Sequence, residues 1–296
     1  MGSEMCIRDS LGIAGAMVPA GMRKIFVYLI KNRYVDCIVT TGANIFHSMC
    51  ETLGKYHWKG TPNIDDTELF KMNIDRIYDI FAFEPDFREC DNFIEKFASE
   101  LDCSKAYTTR EFFYHLGKRM DEVSSEEGIL NTAYRYNVPI YCPALGDSSI
   151  GIAIASGRVK GSNNLTIDII GDVIETADIV LKSKSTGVIY IGGGTPKNFI
   201  QQTAVTTSVS YSDYHSHKYA IQIITDPPYW GGLSGCTFEE AQSWGKISAD
   251  SDKVTLYADA TIALPIVVSA LASSKIKRKS YPQFKLDEQK LVMNQD

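Results

Sequence analysis

An α/β fold of Rossmann-like type, a mostly parallel sheet with helices on both faces, is predicted by three observations. Short apolar runs recur along the second half of the chain, at residues 138–145, 165–170, 187–191, 219–225 and 254–259. Helical stretches lie between most of them, so successive strands are joined by crossovers, which are right-handed and build parallel sheets covered on both faces. Five of the predicted strands also end in polar or glycine-rich loops, the edge at which open α/β sheets bind ligands.

In chain order, Met22, Ile25, Phe26, Leu29 and Ile30 repeat at helical spacing after Pro19 and predict a first helix. Residues 35–40 then read as a buried strand ending in the loop Thr41-Gly42-Ala43-Asn44. Residues 57–128 break the alternation. Within them 58–65 are loop-like and 68–81, 85–101 and 109–120 are expected to be helical, the last opened by a capping box at Thr108-x-x-Glu111. After Gly128 the rhythm is regular: strand 138–145, loop Gly146-Asp147-Ser148-Ser149, a small-residue helix, strand 165–170, helix 172–182 and strand 187–191. Strand 219–225, helix 238–244, strand 254–259 and helix 261–271 complete it. With no repeat or Pro/Gly-rich linker, residues 11–272 are expected to form one domain. Residues 1–10 follow no periodic pattern and are expected to be a non-native or disordered leader, the native chain beginning upstream. Residues 273–296 are expected to be a tail, with the Lys275-Ile276-Lys277-Arg278-Lys279 patch solvated.

The 296 residues, 44% of them hydrophobic and 22% charged, are enough to bury a sizeable core. A net charge of -6 argues against a nucleic-acid footprint. Seven cysteines without a Cys-x-x-Cys pair indicate neither a disulfide framework nor a zinc ribbon and suit a reducing cytoplasm. Neither a membrane span nor a secretory leader is expected.

Chemistry is expected at the strand-end loops: Thr40-Thr41-Gly42, Asp147, Gly192-Gly193-Gly194, Thr225-Asp226 and Asp259-Ala260. Three glycines before a Thr-Pro helix start allow backbone N–H groups to approach a phosphate, although no G-x-G-x-x-G is present and tight packing also accounts for the glycines. The three aspartates suit ribose hydroxyls or helix caps. His47 follows the first strand-end loop and faces either the crevice or solvent. His215-x-His217 has ligand-like spacing but lacks partners, so no metal is expected. No Gly-x-Ser-x-Gly elbow supports hydrolase chemistry.

The segment from Thr237 to Lys246 carries Glu240, Trp244 and Lys246. A lysine attacks carbon only as the neutral amine, and an aromatic face and a carboxylate suit a cationic amine partner. The same spacing also fits a capped helix with Trp244 in the core, Gly245 as terminator and Lys246 solvated.

Taken together, Glu240-Ala-Gln-Ser-Trp244-Gly-Lys246, Tyr257-Ala-Asp-Ala260, Ile191-Gly-Gly-Gly194, Pro143-Ala-Leu-Gly-Asp147 and Val39-Thr-Thr-Gly-Ala43 resemble the deoxyhypusine synthase family. The resemblance runs over about residues 11–272 and is nearest to the bacterial deoxyhypusine synthase-like proteins. It implies an NAD-dependent transferase of hypusine biosynthesis that oxidises spermidine, holds the 4-aminobutyl group as an imine on Lys246 and passes it to a translation-factor lysine. In related homospermidine synthases the acceptor is the free diamine putrescine. Trp244 and Glu240 would contact the polyamine, with Thr40, Thr41, Gly193, Asp147, Thr225, Asp226, Asp259 and Ala260 at cofactor positions. A homotetramer with active sites between subunits is implied.

The chain departs from the eukaryotic pattern at Phe46-His47, where consecutive glutamates are expected, at Ile152 and Leu233, where acidic residues are expected, and at Asn198, where a histidine is expected. Each lost carboxylate–ammonium pair would weaken polyamine binding by about 1 to 3 kcal/mol and shift the preferred amine. The competing expectations are transfer to a free diamine, a binding protein that keeps NAD without turnover, and a plain NAD-dependent amine dehydrogenase.

Overall fold

The computed structural model describes residues 7–274, 278, 281–285 and 292–294. Its main sheet has six parallel strands: β1 (Ile7–Ile13), β2 (Cys37–Thr40), β7 (Ile140–Tyr141), β9 (Ser185–Ile191), β10 (His217–Ile224) and β11 (Ile247–Tyr257). The remaining strands are β3 (Trp58–Lys59), β4 (Ile74–Ile77), β5 (Ile80–Phe83), β6 (Ala106–Tyr107), β8 (Thr166–Ile167), β12 (Gln283–Lys285) and β13 (Val292–Asn294). The spatial order of the main sheet is β7-β2-β1-β9-β10-β11. Numbered along the chain within this sheet, that is 3-2-1-4-5-6, the order of dinucleotide-binding sheets, with its switch point between β1 and β9.

Successive residues of these strands point to opposite faces, and both faces are buried over β1, β2, β7 and β9, whereas β11 is largely exposed. Ile38, Ile140, Leu11, Ile13, Ile191 and Ile223 join one core, under α1 (Arg23–Lys31), α2 (Gly42–Thr52), α6 (Ile129–Arg135) and α11 (Ala260–Ser273). Val39, Tyr141, Val188, Tyr190 and Ala220 join the other, against α8 (Ile169–Leu181), α9 (Gly194–Tyr211) and α10 (Phe238–Ser243). The α/β reading therefore holds. So does the capping box at Thr108 and Glu111, which opens α5 (Thr109–Val123). Among the described residues no helix is long and apolar enough to cross a membrane.

Four expectations are corrected. Residues 7–10 are not outside the fold: they are half of β1, paired along β9 with Ser10 also opposite β2, and Arg8 is buried in place of an apolar residue. The helix expected over 68–81 stops as α3 (Asp66–Lys71), because Asn73 turns left-handed at φ 55° and Tyr78 does so at φ 57° in the β4–β5 hairpin. Isoleucines at 74, 77 and 80 imitate helical spacing while pairing across strands. The strand expected over 165–170 is only β8, paired with β6 outside the main sheet, before the N-cap Asp168 starts α8. The tail is in part docked: Phe284 joins the second core and the Arg278 guanidinium reaches Asp36 at 2.9 Å. Lys275, Lys277 and Lys279 lie outside the described residues.

Candidate active site

Because all six strands are parallel, their carboxyl ends share one edge, and the predicted loops meet there. Asn44, fully buried in α2, fixes the crevice floor. Its Oδ1 accepts from the Met17 backbone N at 2.8 Å, and its Nδ2 donates to Thr41 Oγ1 at 3.0 Å and Thr40 Oγ1 at 3.2 Å. Thr41 Oγ1 donates onward to the Gly15 carbonyl at 2.6 Å. Loops after β1 and β2 are thereby held as one unit. Gly42 opens α2 beneath Ser148, whose Oγ stands 2.3 Å from where a Cβ would be.

The glycine run has packing as well as conformational reasons. Gly192 (φ 78°) lies against Ala14, and a Cβ on Gly193 would meet the Ser234 backbone at 2.6 Å. The Gly194 N–H donates to Ser234 Oγ at 3.1 Å, so this amide at the start of α9 already has a protein partner. Of the aspartates, Asp259 is the N-cap of α11, accepting from Thr261 N at 2.8 Å, and those bonds hold its carboxyl below the ordinary range. Asp147 is not a cap, since Ser148 takes that role for α7 (Ser149–Val159), and its exposed carboxylate has no hydrogen-bond partner among the described residues. Asp226 is half-buried after β10, beside exposed Thr225, and Ala260 opens α11.

The amine-handling segment stands elsewhere. Thr237 caps α10 by accepting from Glu240 N, and Gly245 ends the turn at φ 67°, as the capped-helix reading requires. Trp244, however, is 67% exposed rather than core, and the Lys246 ammonium lies 5.4 Å from its ring centroid. Lys246 immediately precedes β11, and its carbonyl accepts from His217 N at the start of β10. Asp259 follows the other end of β11, and the seven residue steps from His217 to Ile224 separate the two backbones by about 20 Å. One chain thus carries the lysine and the strand-end loops at opposite ends of β10 and β11.

A residue at the end of the glycine-rich strand-end loop, to which the sequence assigned no role, links them. Lys197, in the first turn of α9, is fully buried, and its ammonium donates to Gln222 Oε1 at 3.0 Å and to the carbonyls of Ser234 and Cys236. Three donors meet three acceptors, the condition for burying an ammonium. Burial lowers its pKa, Cys236 and Glu240 oppose this, and Lys246 adds to it, so all four groups share one electrostatic neighbourhood. The signal available in the sequence was a lysine on the heels of the glycine run. Its neighbour Asn198 is half-buried on α9. Ile152 and Leu233 are exposed on α7 and beside Ser234.

His47 lies one turn beyond Asn44 on α2, bonded to His57 at 2.9 Å. His217 is buried between Thr186 and the Ile200 carbonyl, whereas His215 pairs with Asp213, so the two do not share partners.

The family model for deoxyhypusine synthase matches residues 1–271. The chain belongs to the deoxyhypusine synthase family. It is 51% identical over 282 residues to probable deoxyhypusine synthase 2 of Methanosarcina mazei, spanning 94% of this chain and 80% of that one. It is 48% identical to probable deoxyhypusine synthase 2 of Archaeoglobus fulgidus, spanning 93% and 89%, and 40% identical to the deoxyhypusine synthase-like protein of Coxiella burnetii, spanning 88% and 74%. A crystal structure assigned as a deoxyhypusine synthase from Entamoeba histolytica shares the fold, with TM-score 0.61 and 21% identity over 94% of this chain and 79% of that one. Membership of the deoxyhypusine synthase family places the chain among transferases.

Proposed function

We propose that this chain is an NAD-dependent aminoalkyl transferase that moves a 4-aminobutyl group from spermidine or a related polyamine, through an imine on Lys246, to a protein lysine such as that of a translation factor. The observation that carries the reading is the exposed Trp244 face beside the Lys246 ammonium, with Glu240 in the same electrostatic neighbourhood. Trp244 offers a π-face to a cationic amine and Glu240 a carboxylate. Asp147 and Asp226, in the loops after β7 and β10, suit ribose hydroxyls, and the stapled loops of Thr40, Thr41 and Asn44 form a rigid wall for the nucleotide. Bound NAD would supply oxidation at the carbon beside the secondary amine and return the same hydride after transfer, leaving no net oxidation.

Lys246 does the covalent work. Its neutral Nζ adds to the carbon of the protonated substrate imine, one Nζ proton passes to the departing nitrogen so that 1,3-diaminopropane leaves as the free amine, and the carbon remains as a protonated lysine imine. The acceptor amine adds to that carbon, and Lys246 departs as the free amine. Because Lys246 and the strand-end loops lie about 20 Å apart along one sheet, the active site is proposed to form between copies in a homotetramer. The uncovered apolar residues of β11 (Val254, Leu256, Tyr257) and α11 (Ile262, Ile266) favour such an interface.

Trapping tests this. With NAD and spermidine present, borohydride is expected to leave an adduct on Lys246 detectable by mass spectrometry, and its absence across a panel of polyamines would overturn the proposal. Two alternatives rest on the exposed apolar Ile152 and Leu233. Transfer to a free diamine would appear as homospermidine-type product, and a non-catalytic NAD-binding homologue would be thermally stabilised by NAD while Lys246→Ala changed no activity.

A further inference from the structure

Between α7 and the segment leading into α8 lies an open cleft of about 380 Å³. Small-molecule sites occupy about 300 to 1,000 Å³. Gly151, Ile154, Ala155 and Arg158, at i, i+3, i+4 and i+7 of α7, form one wall, a single stripe of that helix. Leu165, Ile167 and Ile169 form the other, and the pairing of β8 with β6 holds it in place. Leu145 and Gly146, in the loop after β7, close the head. Ile154 and Leu165 are buried, whereas Ile167 and Ile169 are only half-buried, so the walls keep apolar area for an occupant to cover. Ile152 lies about 100° round the helix from Gly151 and does not line the cleft.

Two lining residues have features that folding does not account for. Gly146 is required by neither conformation nor packing: its φ lies outside the left-handed region, and a Cβ built on it meets no atom within 4 Å. Its bare backbone instead keeps the head of the cleft open, the use of glycine where a ligand approaches the main chain. Gly151 differs, since the Leu145 carbonyl stands 2.5 Å from its Cβ position. Arg158 is exposed, and its Nη2 donates across the cleft to the Leu165 carbonyl. Nε and Nη1 have no hydrogen-bond partner among the described residues. Whichever Nη2 hydrogen the carbonyl takes, one edge of the planar guanidinium keeps two parallel N–H bonds, the geometry that matches a carboxylate. The carboxylate of Asp168, between Ile167 and Ile169, is engaged as the N-cap of α8, accepting from Gly171 N at 2.9 Å.

We infer that this cleft is a second small-molecule site, separate from the strand-end crevice, and that it takes a small organic monocarboxylate. The apolar body lies between Ile154 on one wall and Ile167 and Ile169 on the other, with its tip against Gly146. The carboxylate is held by the open edge of Arg158. Apolar walls with one convergent polar group fix both the orientation and the class of ligand: a neutral analogue keeps the burial and loses the charge-assisted pair, and a cationic one meets the guanidinium as a like charge. The site does not depend on the transferase reading, because none of its lining residues belongs to the lysine segment.

Octanoate, octan-1-ol and octylamine, titrated into the full-length protein labelled at its isoleucine δ1 methyl groups, test this without using activity. Octanoate is expected to shift the Ile154, Ile167 and Ile169 methyl resonances saturably, octan-1-ol about tenfold more weakly, and octylamine not at all. Arg158→Gln should weaken octanoate about tenfold and leave octan-1-ol unchanged. Ala155→Phe, placed in the open cleft, should abolish binding of both. Gly146→Ala should weaken octanoate without lowering Tm, which separates loss of the site from loss of the fold. Equal affinity for octanoate and octan-1-ol, or no effect of Arg158→Gln, overturns the inference. So does a response that fails to saturate or is matched at Ile262 and Ile266 on α11, as simple apolar partitioning would give. Methyls at 154, 167 and 169 that do not move at all, as when a second copy of the chain covers the cleft, overturn it too.

Discussion

Lys197→Met removes the ammonium that ties α9 to the loop before α10. Methionine fills nearly the same volume, so the effect isolates hydrogen bonding from cavity formation. The substitution strands the Cys236 carbonyl and Gln222 Oε1, with the longer 3.4 Å contact to Ser234 adding little. Two unsatisfied buried acceptors cost about 1 to 3 kcal/mol each, and relief of the desolvated charge returns part of that, leaving about 3 kcal/mol. Hydration of the loop satisfies the stranded groups, so the loss should appear as local opening. Hydrogen exchange of amides 233–237 is expected to accelerate about hundredfold, with a smaller fall in the global unfolding free energy measured in urea. Yield of the Lys246 borohydride adduct should fall as well, because Ser234 and Cys236 lead into α10. Unchanged exchange at 233–237 and a urea midpoint within experimental error of wild type would refute the reasoning.

His217 makes the fold acid-sensitive. Burial lowers its pKa from 6.5 to about 4, so the unfolded chain binds the proton first: the stability contribution is complete above pH 6.5 and is lost as pH falls through 4. The shift is worth about 3 kcal/mol, and urea unfolding at pH 7 and pH 4 should show His217→Gln losing that much less than wild type. Gly193→Ala, with its Cβ 2.6 Å from the Ser234 backbone, should lower Tm by several degrees and weaken the thermal shift given by NAD, whereas Gly146→Ala, with no atom within 4 Å, should do neither. Asn44→Ala should cost about 2 to 4 kcal/mol by freeing the loops after β1 and β2, read as a lower urea midpoint and a weaker thermal shift with NAD.

The sheet was legible where strand and helix periods differ sharply. Residues 35–40 are read as a strand because both faces of β2 are covered, whereas 219–225 are read so although Ile221 is 42% exposed, and both runs end in the loops that line the crevice. The β4–β5 hairpin was not legible, since Ile74, Ile77 and Ile80 satisfy a helical template and the left-handed turns fall on Asn73 and Tyr78 rather than glycine. β1 was hidden because Arg8, Asp9 and Ser10 interrupt its apolar pattern, and pairing along β9 holds them extended. At the site, loop chemistry could be read from residue types, but Asn44 and Lys197 act through partners 27 and up to 39 residues away in the chain. No local pattern encodes such a pairing. The capped α10 illustrates the converse: spacing correctly foretold Thr237 and Gly245 and left Trp244 open between core and surface.

The place of β1 has a consequence for how the chain is made. It pairs with β2 after a short excursion, but its other edge waits for β9, with Ile7 opposite Ser185. During synthesis more than half of the chain must emerge before the middle of the sheet can close. Until then the β1 edge exposes unpaired N–H and C=O groups, a template for pairing with any other extended segment. The half-made protein is therefore the aggregation-prone species. Sequestering that edge, rather than strengthening the finished core, is the lever for improving its yield.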